Sequence, residues 1–217
     1  MTNPYEWRPN GQKVIIQAHA IEPIVAFGAF VLPVLRDANW IENSKYVSNT
    51  GMSAREWAGL VLHALVLSDA TGEDMKVAKT YDTSGDGAVV ISRGYGNEAV
   101  LVEQTLVTHK AHTDLETGVS ERITAKSSRG ENYSENNHLV LWLNITGDID
   151  EKKIASLVSQ GGYNIVSVCG FREDSMGRYY LCYLFDKDKA DGSVHKISIK
   201  ESSLIQAAQS TERSDKV

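Results

Sequence analysis

The chain has 217 residues, 42% of them hydrophobic and 23% charged, with a formal net charge of −6. That is enough chain for one well-filled core, and the composition is that of an ordinary globular protein, not of a disordered or fibrous one. The negative balance excludes a global positive field that would draw the chain to nucleic acid or anionic membrane, so any nucleic-acid contact has to be local or metal-assisted.

The opening MTNPYEWRPN has no basic leader followed by an apolar core. Residues 13–18 suit a short strand. Residues 21–36 are apolar on every side and carry Pro23 and Pro33, which predicts a short buried helix that ends or kinks near Pro33. Its longest apolar run, 23–33, is about half the ~20 residues of a membrane span, so no membrane partner is expected. The same segment is the candidate contact of a homodimer. Residues 37–52 read as a loop anchored by Trp40 and Tyr46.

Ser53-Ala-Arg-Glu56 is a capping box, in which the serine oxygen and the glutamate three residues on satisfy free amides at a helix start. Trp57, Leu60, Val61, Ala64 and Leu65 follow at helical spacing with a mostly apolar reverse side, predicting a buried central helix over 54–69 that Gly72 stops. A short strand is expected at 76–81. Residues 87–92 and 99–107 then form two strands about the turn Arg93-Gly94-Tyr95-Gly96-Asn97. On the second, Leu101, Glu103, Thr105 and Val107 share one face, with Val102, Gln104 and Leu106 on the other. A carboxylate in so apolar a strand is costly to bury unless a cation or a metal meets it, which makes Glu103 the leading functional clue.

Residues 109–128 predict a polar surface helix with a sparse apolar face, and 127–132 a loop. The near-continuous apolar run 138–145 predicts a strand buried on both faces and hence central. A helix over 148–160 ends at Gly161-Gly162. Strands over 163–171 and 178–185 turn near Ser175, a register that sets Cys169 opposite Cys182. These two cysteines read as reduced packing thiols of a cytoplasmic protein. A strand at 194–199, a helix at 200–208 and a mobile polar tail at 209–217 complete the chain. Residues 1–208 are expected to form a single domain.

Several familiar chemistries are missing. Asp82-Thr-Ser84-Gly-Asp86-Gly87 opens like a calcium loop, but the twelfth position is Arg93 where a bidentate glutamate is needed. His109 and His112 lack a third ligand at matching spacing for zinc. No Gly-x-Ser-x-Gly elbow and no Gly-x-x-x-x-Gly-Lys loop occurs, and Gly94-Tyr95-Gly96 falls in a hairpin instead of before a helix.

What remains is the order α-β-β(-β)-α-β over about 53–145, with Asp86 at the mouth of one strand and Glu103 inside the next. This resembles the restriction-endonuclease-like, PD-(D/E)XK, nuclease superfamily. The resemblance implies an α/β (α+β) fold with a mixed central sheet flanked by helices, and Mg²⁺-dependent hydrolysis of DNA. Asp86 and Glu103 would be the metal ligands, hard oxygens that suit magnesium. The position of the motif lysine is Thr105, so the cation would come from the neighbouring helix as Lys126 or Lys110. Arg129 and Tyr133 would meet a phosphate, and Glu56 would be an outer acid. Each residue also has a plain reading: Glu56 caps a helix, Asp86 forms a turn, Glu103 faces solvent on an edge hairpin or pairs structurally with Lys126, and Lys126 and Arg129 sit at a solvated helix end. The alternative to a nuclease is a non-catalytic protein-binding or regulatory module, possible as a homodimer through 21–36.

Overall fold

The computed structural model describes residues 6–7, 14–37, 39–42, 51–80, 86–93, 96–108, 114–144, 148–189 and 193–214. Nine strands form one sheet in strict chain order: β1 (Glu6–Trp7), β2 (Val14–Ile21), β3 (Met75–Thr80), β4 (Gly87–Arg93), β5 (Gly96–Thr108), β6 (Asn137–Asn144), β7 (Ile165–Asp174), β8 (Gly177–Asp186) and β9 (Val194–Lys200). Strands β1 to β5 run antiparallel, as do β7 to β9. Between these two meanders β5, β6 and β7 are parallel, so helical crossovers are needed there and nowhere else. The fold is thus mixed α/β, and β6, with a parallel neighbour on each side, is central as its unbroken apolar run requires.

Of the helices, α1 (Pro23–Ala26), α2 (Ala54–Thr71) and α6 (Glu201–Ser214) belong with one side of the sheet; α3 (Leu115–Ser127) and α5 (Glu151–Gln160) cover the other, and α4 (Glu131–Glu135) leads into β6. Alternation along the strands divides the core accordingly. Val102, Val140, Trp142, Cys169 and Cys182 pack with Trp57, Leu60 and Val61 of α2. Val107, Leu139, Leu141, Val166 and Val168 pack with Val119 and Ile123 of α3 and Ile154 and Val158 of α5. Cys169 and Cys182 are register partners with sulfurs 3.1 Å apart, both free and buried.

The predicted capping box is formed: Glu56 N–H donates to Ser53 Oγ (3.3 Å) and Ser53 N–H to Glu56 Oε2 (2.6 Å). Gly72 closes α2 at φ 71°, a left-handed conformation glycine adopts without strain. Over 21–36 the chain is one α-turn, a π-helical turn at Phe27–Val31 and a 3₁₀ turn at Leu32–Val34. Pro33 cannot donate a backbone bond and its ring crowds the carbonyl four residues back, so the ladder changes register as it approaches. Phe27 is buried against Tyr180 and Phe30 stacks on Trp57, so both rings of the candidate dimer segment pack within their own chain.

Three expectations are corrected. The polar helix begins only at Leu115, capped by Asp114, whose carboxylate accepts Thr117 N–H at 2.7 Å. The loop at 127–132 instead turns at Gly130 (φ 117°) into α4. The last helix, expected over 200–208, runs from Glu201 to Ser214, with Leu204 and Ala208 buried one turn apart and Ala208 seated beside Gly28. Tyr46, residues 82–85, His109, Lys110 and His112 lie outside the described residues.

Candidate functional site

Register brings the two acids of the hairpin together. Gly87 pairs with Val102, and Asp86, one residue before it, donates its N–H to the Val102 carbonyl at 2.8 Å. The Asp86 carboxylate then turns onto β5, where Oδ2 accepts the backbone N–H of Gln104 at 2.7 Å. Its anchor is the residue next to Glu103. Burial raises the Asp86 carboxyl above its ordinary pKa; the Gln104 amide pulls it back, Glu103 and Glu56 push it up further, and Lys126 opposes them.

Glu103 is only 2% exposed, on a strand paired on both edges. It points to the α3 side of the sheet, where both oxygens are engaged. Lys126, in the last turn of α3, donates to Oε2; Arg129 donates to Oε1 at 2.9 Å; the Tyr133 hydroxyl also donates to Oε1. The α3–α4 turn makes this convergence possible. At φ 117° Gly130 reverses the chain, and its carbonyl accepts the amides of Tyr133 and Ser134 at 3.1 Å each, so that Tyr133 returns beside Arg129. Burial, then the bond to Glu103, holds the Tyr133 phenol well above its ordinary pKa. Tyr133 and Glu103 in turn hold the Arg129 guanidinium firmly charged.

Glu56 is held in its capping box, and its backbone carbonyl accepts Gln104 Nε2 at 2.8 Å, which ties the start of α2 to β5. Thr105 is half-buried and offers no cation; Lys126 reaches Glu103 from α3. Of the sequence-predicted residues, Glu103, Lys126, Arg129 and Tyr133 are brought into contact, Asp86 lies within electrostatic reach of Glu103, Lys126 and Glu56, and Lys110 lies outside the described residues.

Two features had no sequence signature. Tyr163, at the start of the segment entering β7, is fully buried with no hydrogen-bond partner for its hydroxyl among the described residues. Burial, then the charge of Glu103, raises its pKa, which places it in the field of the same cluster. On the opposite face of the sheet, His63 Nδ1 meets Ser167 Oγ at 2.7 Å and His63 Nε2 meets His138 Nδ1 at 2.9 Å. His63 and Ser167 have no exposed surface, so this serine–histidine chain is closed to substrate.

Among the described residues no group of three or more His, Cys, Asp or Glu side chains is disposed to hold a metal ion. The pair Asp86 and Glu103 nonetheless fits Mg²⁺ by donor chemistry, since magnesium takes one or two carboxylates and fills its remaining positions with water and substrate oxygens. Asp86, buried and pushed toward protonation by two neighbouring carboxylates, is the group a further cation would relieve. Comparison with protein-family models, with curated proteins and with solved structures finds no match.

Proposed function

We propose that the chain is a Mg²⁺-dependent, nuclease-like protein that hydrolyses DNA phosphodiester bonds on a restriction-endonuclease-like core, acting in the cytoplasm. The observation that carries this reading is the contact between Lys126 and Glu103: an ammonium supplied by the crossover helix stands beside the acid pair where the motif strand itself carries Thr105. The run α2, β3, β4, β5, α3, β6, with β3 to β5 antiparallel and β6 parallel to β5, supports it in the order the resemblance requires.

In this reading Asp86 and Glu103 would hold the metal, which would supply polarisation of the scissile phosphate and a lowered pKa for a water. Lys126 balances charge that builds on the phosphate oxygens, a positive group fixed in a water-poor site. Arg129, the most exposed of the three donors to Glu103, meets the strand's phosphate together with the Tyr133 hydroxyl. Glu56 acts from outside as a negative neighbour of Asp86.

A second reading, a non-catalytic binding module, draws support from the saturation of Glu103: a carboxylate with both oxygens engaged also serves as a purely structural anchor. A homodimer through 21–36 would then use the exposed Ala29 and Pro33, because Phe27 is buried. Plasmid cleavage separates the readings. With Mg²⁺ the purified chain is expected to nick supercoiled DNA, and Glu103→Gln, which keeps the shape and removes the charge, is expected to lose that activity with its circular dichroism unchanged. Cleavage undiminished in Glu103→Gln removes Glu103 from the mechanism, and none by the parent chain with Mg²⁺ or Mn²⁺ leaves the binding module.

A further inference from the structure

Away from the acid pair, α5, the end of β8 and the turn that follows it enclose a cavity of about 470 Å³. It shares no residue with the candidate site. Lys152, Ala155, Ser156 and Ser159 line it from α5, spaced so that they share one helix face. Lys187 and Lys189 close it from the turn, whose course is fixed by Lys187 N–H donating to the Asn164 carbonyl at 2.8 Å and Lys189 N–H to the Asp186 carbonyl at 3.2 Å. Val158 and Phe185 form an apolar base beneath Ala155.

The charges around it are distributed unevenly. Neighbouring lysines that point elsewhere are neutralised: Lys153 pairs with Glu116 at 3.1 Å and Lys196 with Glu151 at 2.9 Å. The ammoniums of Lys152, Lys187 and Lys189 have no ion pair or hydrogen bond among the described residues. Among the described residues that line it, three lysines stand with one carboxylate, Asp186, whose Oδ1 accepts the Asp188 N–H at 3.0 Å; Asp188 itself lies in the same turn between Lys187 and Lys189. A concave site of this size, with an apolar base and a cationic rim, selects an anion with a flat apolar body. Lysine is a point-charge binder of phosphate, and a nucleobase supplies the body.

We propose that this cavity binds a 5′-phosphorylated nucleoside, either as a free nucleotide or as the phosphorylated end of a nucleic-acid strand. The phosphate lies among Lys152, Lys187 and Lys189 and the base lies against Ala155 and the residues beneath it. The assignment goes beyond the proposed nuclease activity and does not depend on it.

The test is calorimetric titration of the full chain, without metal, with adenosine 5′-monophosphate, adenosine, inorganic phosphate and a ten-nucleotide thymidine strand with and without a 5′-phosphate. Adenosine monophosphate is expected to bind more tightly than either of its parts. It is expected to lose at least tenfold in affinity in the triple variant Lys152→Gln, Lys187→Gln, Lys189→Gln and in Ala155→Phe, which fills the cavity. A preference for the phosphorylated strand over the mononucleotide assigns the site to strand ends; the reverse assigns it to free nucleotide. If neither probe binds the parent chain, or the triple variant binds as well as the parent, the assignment is wrong. The lysines are at the surface, so the triple variant decides the question even where Ala155→Phe fails to fold. Glu103→Gln is expected to bind adenosine monophosphate unchanged, so failure of the cleavage reading and failure of this one are told apart.

Discussion

Acidification should unfold this protein through a pair of histidines. His63 and His138 are held neutral: burial lowers both, and His138 lowers His63 further. His138 falls from the ordinary 6.5 to about 4. Their hydrogen bonds explain why a proton is unwelcome. Neutral imidazoles alternate donor and acceptor along the chain from Ser167 through His63 to His138. An imidazolium donates from both nitrogens, so protonating either ring sets N–H against N–H or turns the Ser167 hydroxyl away. In the unfolded chain both rings titrate near 6.5. Between the folded and unfolded pKa the unfolded state binds more protons, so stability rises with pH there; it is complete above 6.5 and is lost as pH falls toward 4. The difference between 6.5 and about 4, at ~1.4 kcal/mol for each pH unit, gives about 3.5 kcal/mol from His138 alone. That is an upper limit, because His138 keeps some exposed surface. Asp86 works the other way, since its raised pKa makes the folded state the stronger proton binder once pH falls through it. Urea unfolding at pH 7.5, 6.0 and 4.5 should therefore show the midpoint falling steadily. Imidazole ¹⁵N shifts should leave His63 and His138 untitrated at pH 6. A folded His138 that titrates near 6.5 would mean that water reaches the pair and that the assigned cause is wrong.

Two further outcomes test the packing around the acids. Glu103→Ala leaves the Lys126 ammonium, whose side chain is 18% exposed, and the Tyr133 hydroxyl without their acceptor; a loss of about 3 kcal/mol is expected, seen as a lower urea midpoint at unchanged slope. Gly59→Ala should destabilise by about 1–3 kcal/mol although alanine is the better helix former, because its Cβ would lie 2.1 Å from Gln104 Oε1 and 2.7 Å from Trp142 Nε1. A stabilised Gly59→Ala would show that Gln104 can leave its bond to Glu56 at no cost.

What the sequence reveals here is whatever is written in local pattern. The capping box at Ser53, the alternation that sends Glu103 and Gln104 to opposite faces, and the apolar run of β6 are each decided by neighbours within a few residues, and each appears in the fold as read. The register of Cys169 against Cys182 was legible for the same reason, since a tight turn between two strands fixes it. Missed features depend on partners distant in the chain. Nothing near Tyr163 indicates Glu103, 60 positions earlier, and nothing near His63 indicates Ser167, 104 residues on. The α6 extension was missed because Gln209–Ser214 is polar, and its helicity follows from the seating of Ala208 on Gly28.

The crowding at Glu103 carries a consequence for any cation that is to join it, because one of three donors must yield. Lys126, its side chain 18% exposed, would be left largely buried without its partner, which is costly. Tyr133 is half-buried, and its hydroxyl would have to find another acceptor. Arg129, at 49% exposure, can swing into water more readily than the other two, even though the Glu103 end of the pair is only 3% exposed. Arg129 is thus the donor that Glu103 can release most cheaply, and once released it is a free guanidinium beside the acids, suited to a phosphate oxygen. Removing it in advance should ease metal entry while weakening the hold on DNA. Arg129→Gln is therefore expected to bind Mn²⁺ more tightly than the parent by titration calorimetry. The same variant should need more DNA to reach half-maximal cleavage. Mn²⁺ binding that weakens in Arg129→Gln would show that the guanidinium holds Glu103 in place for the ion instead of competing with it.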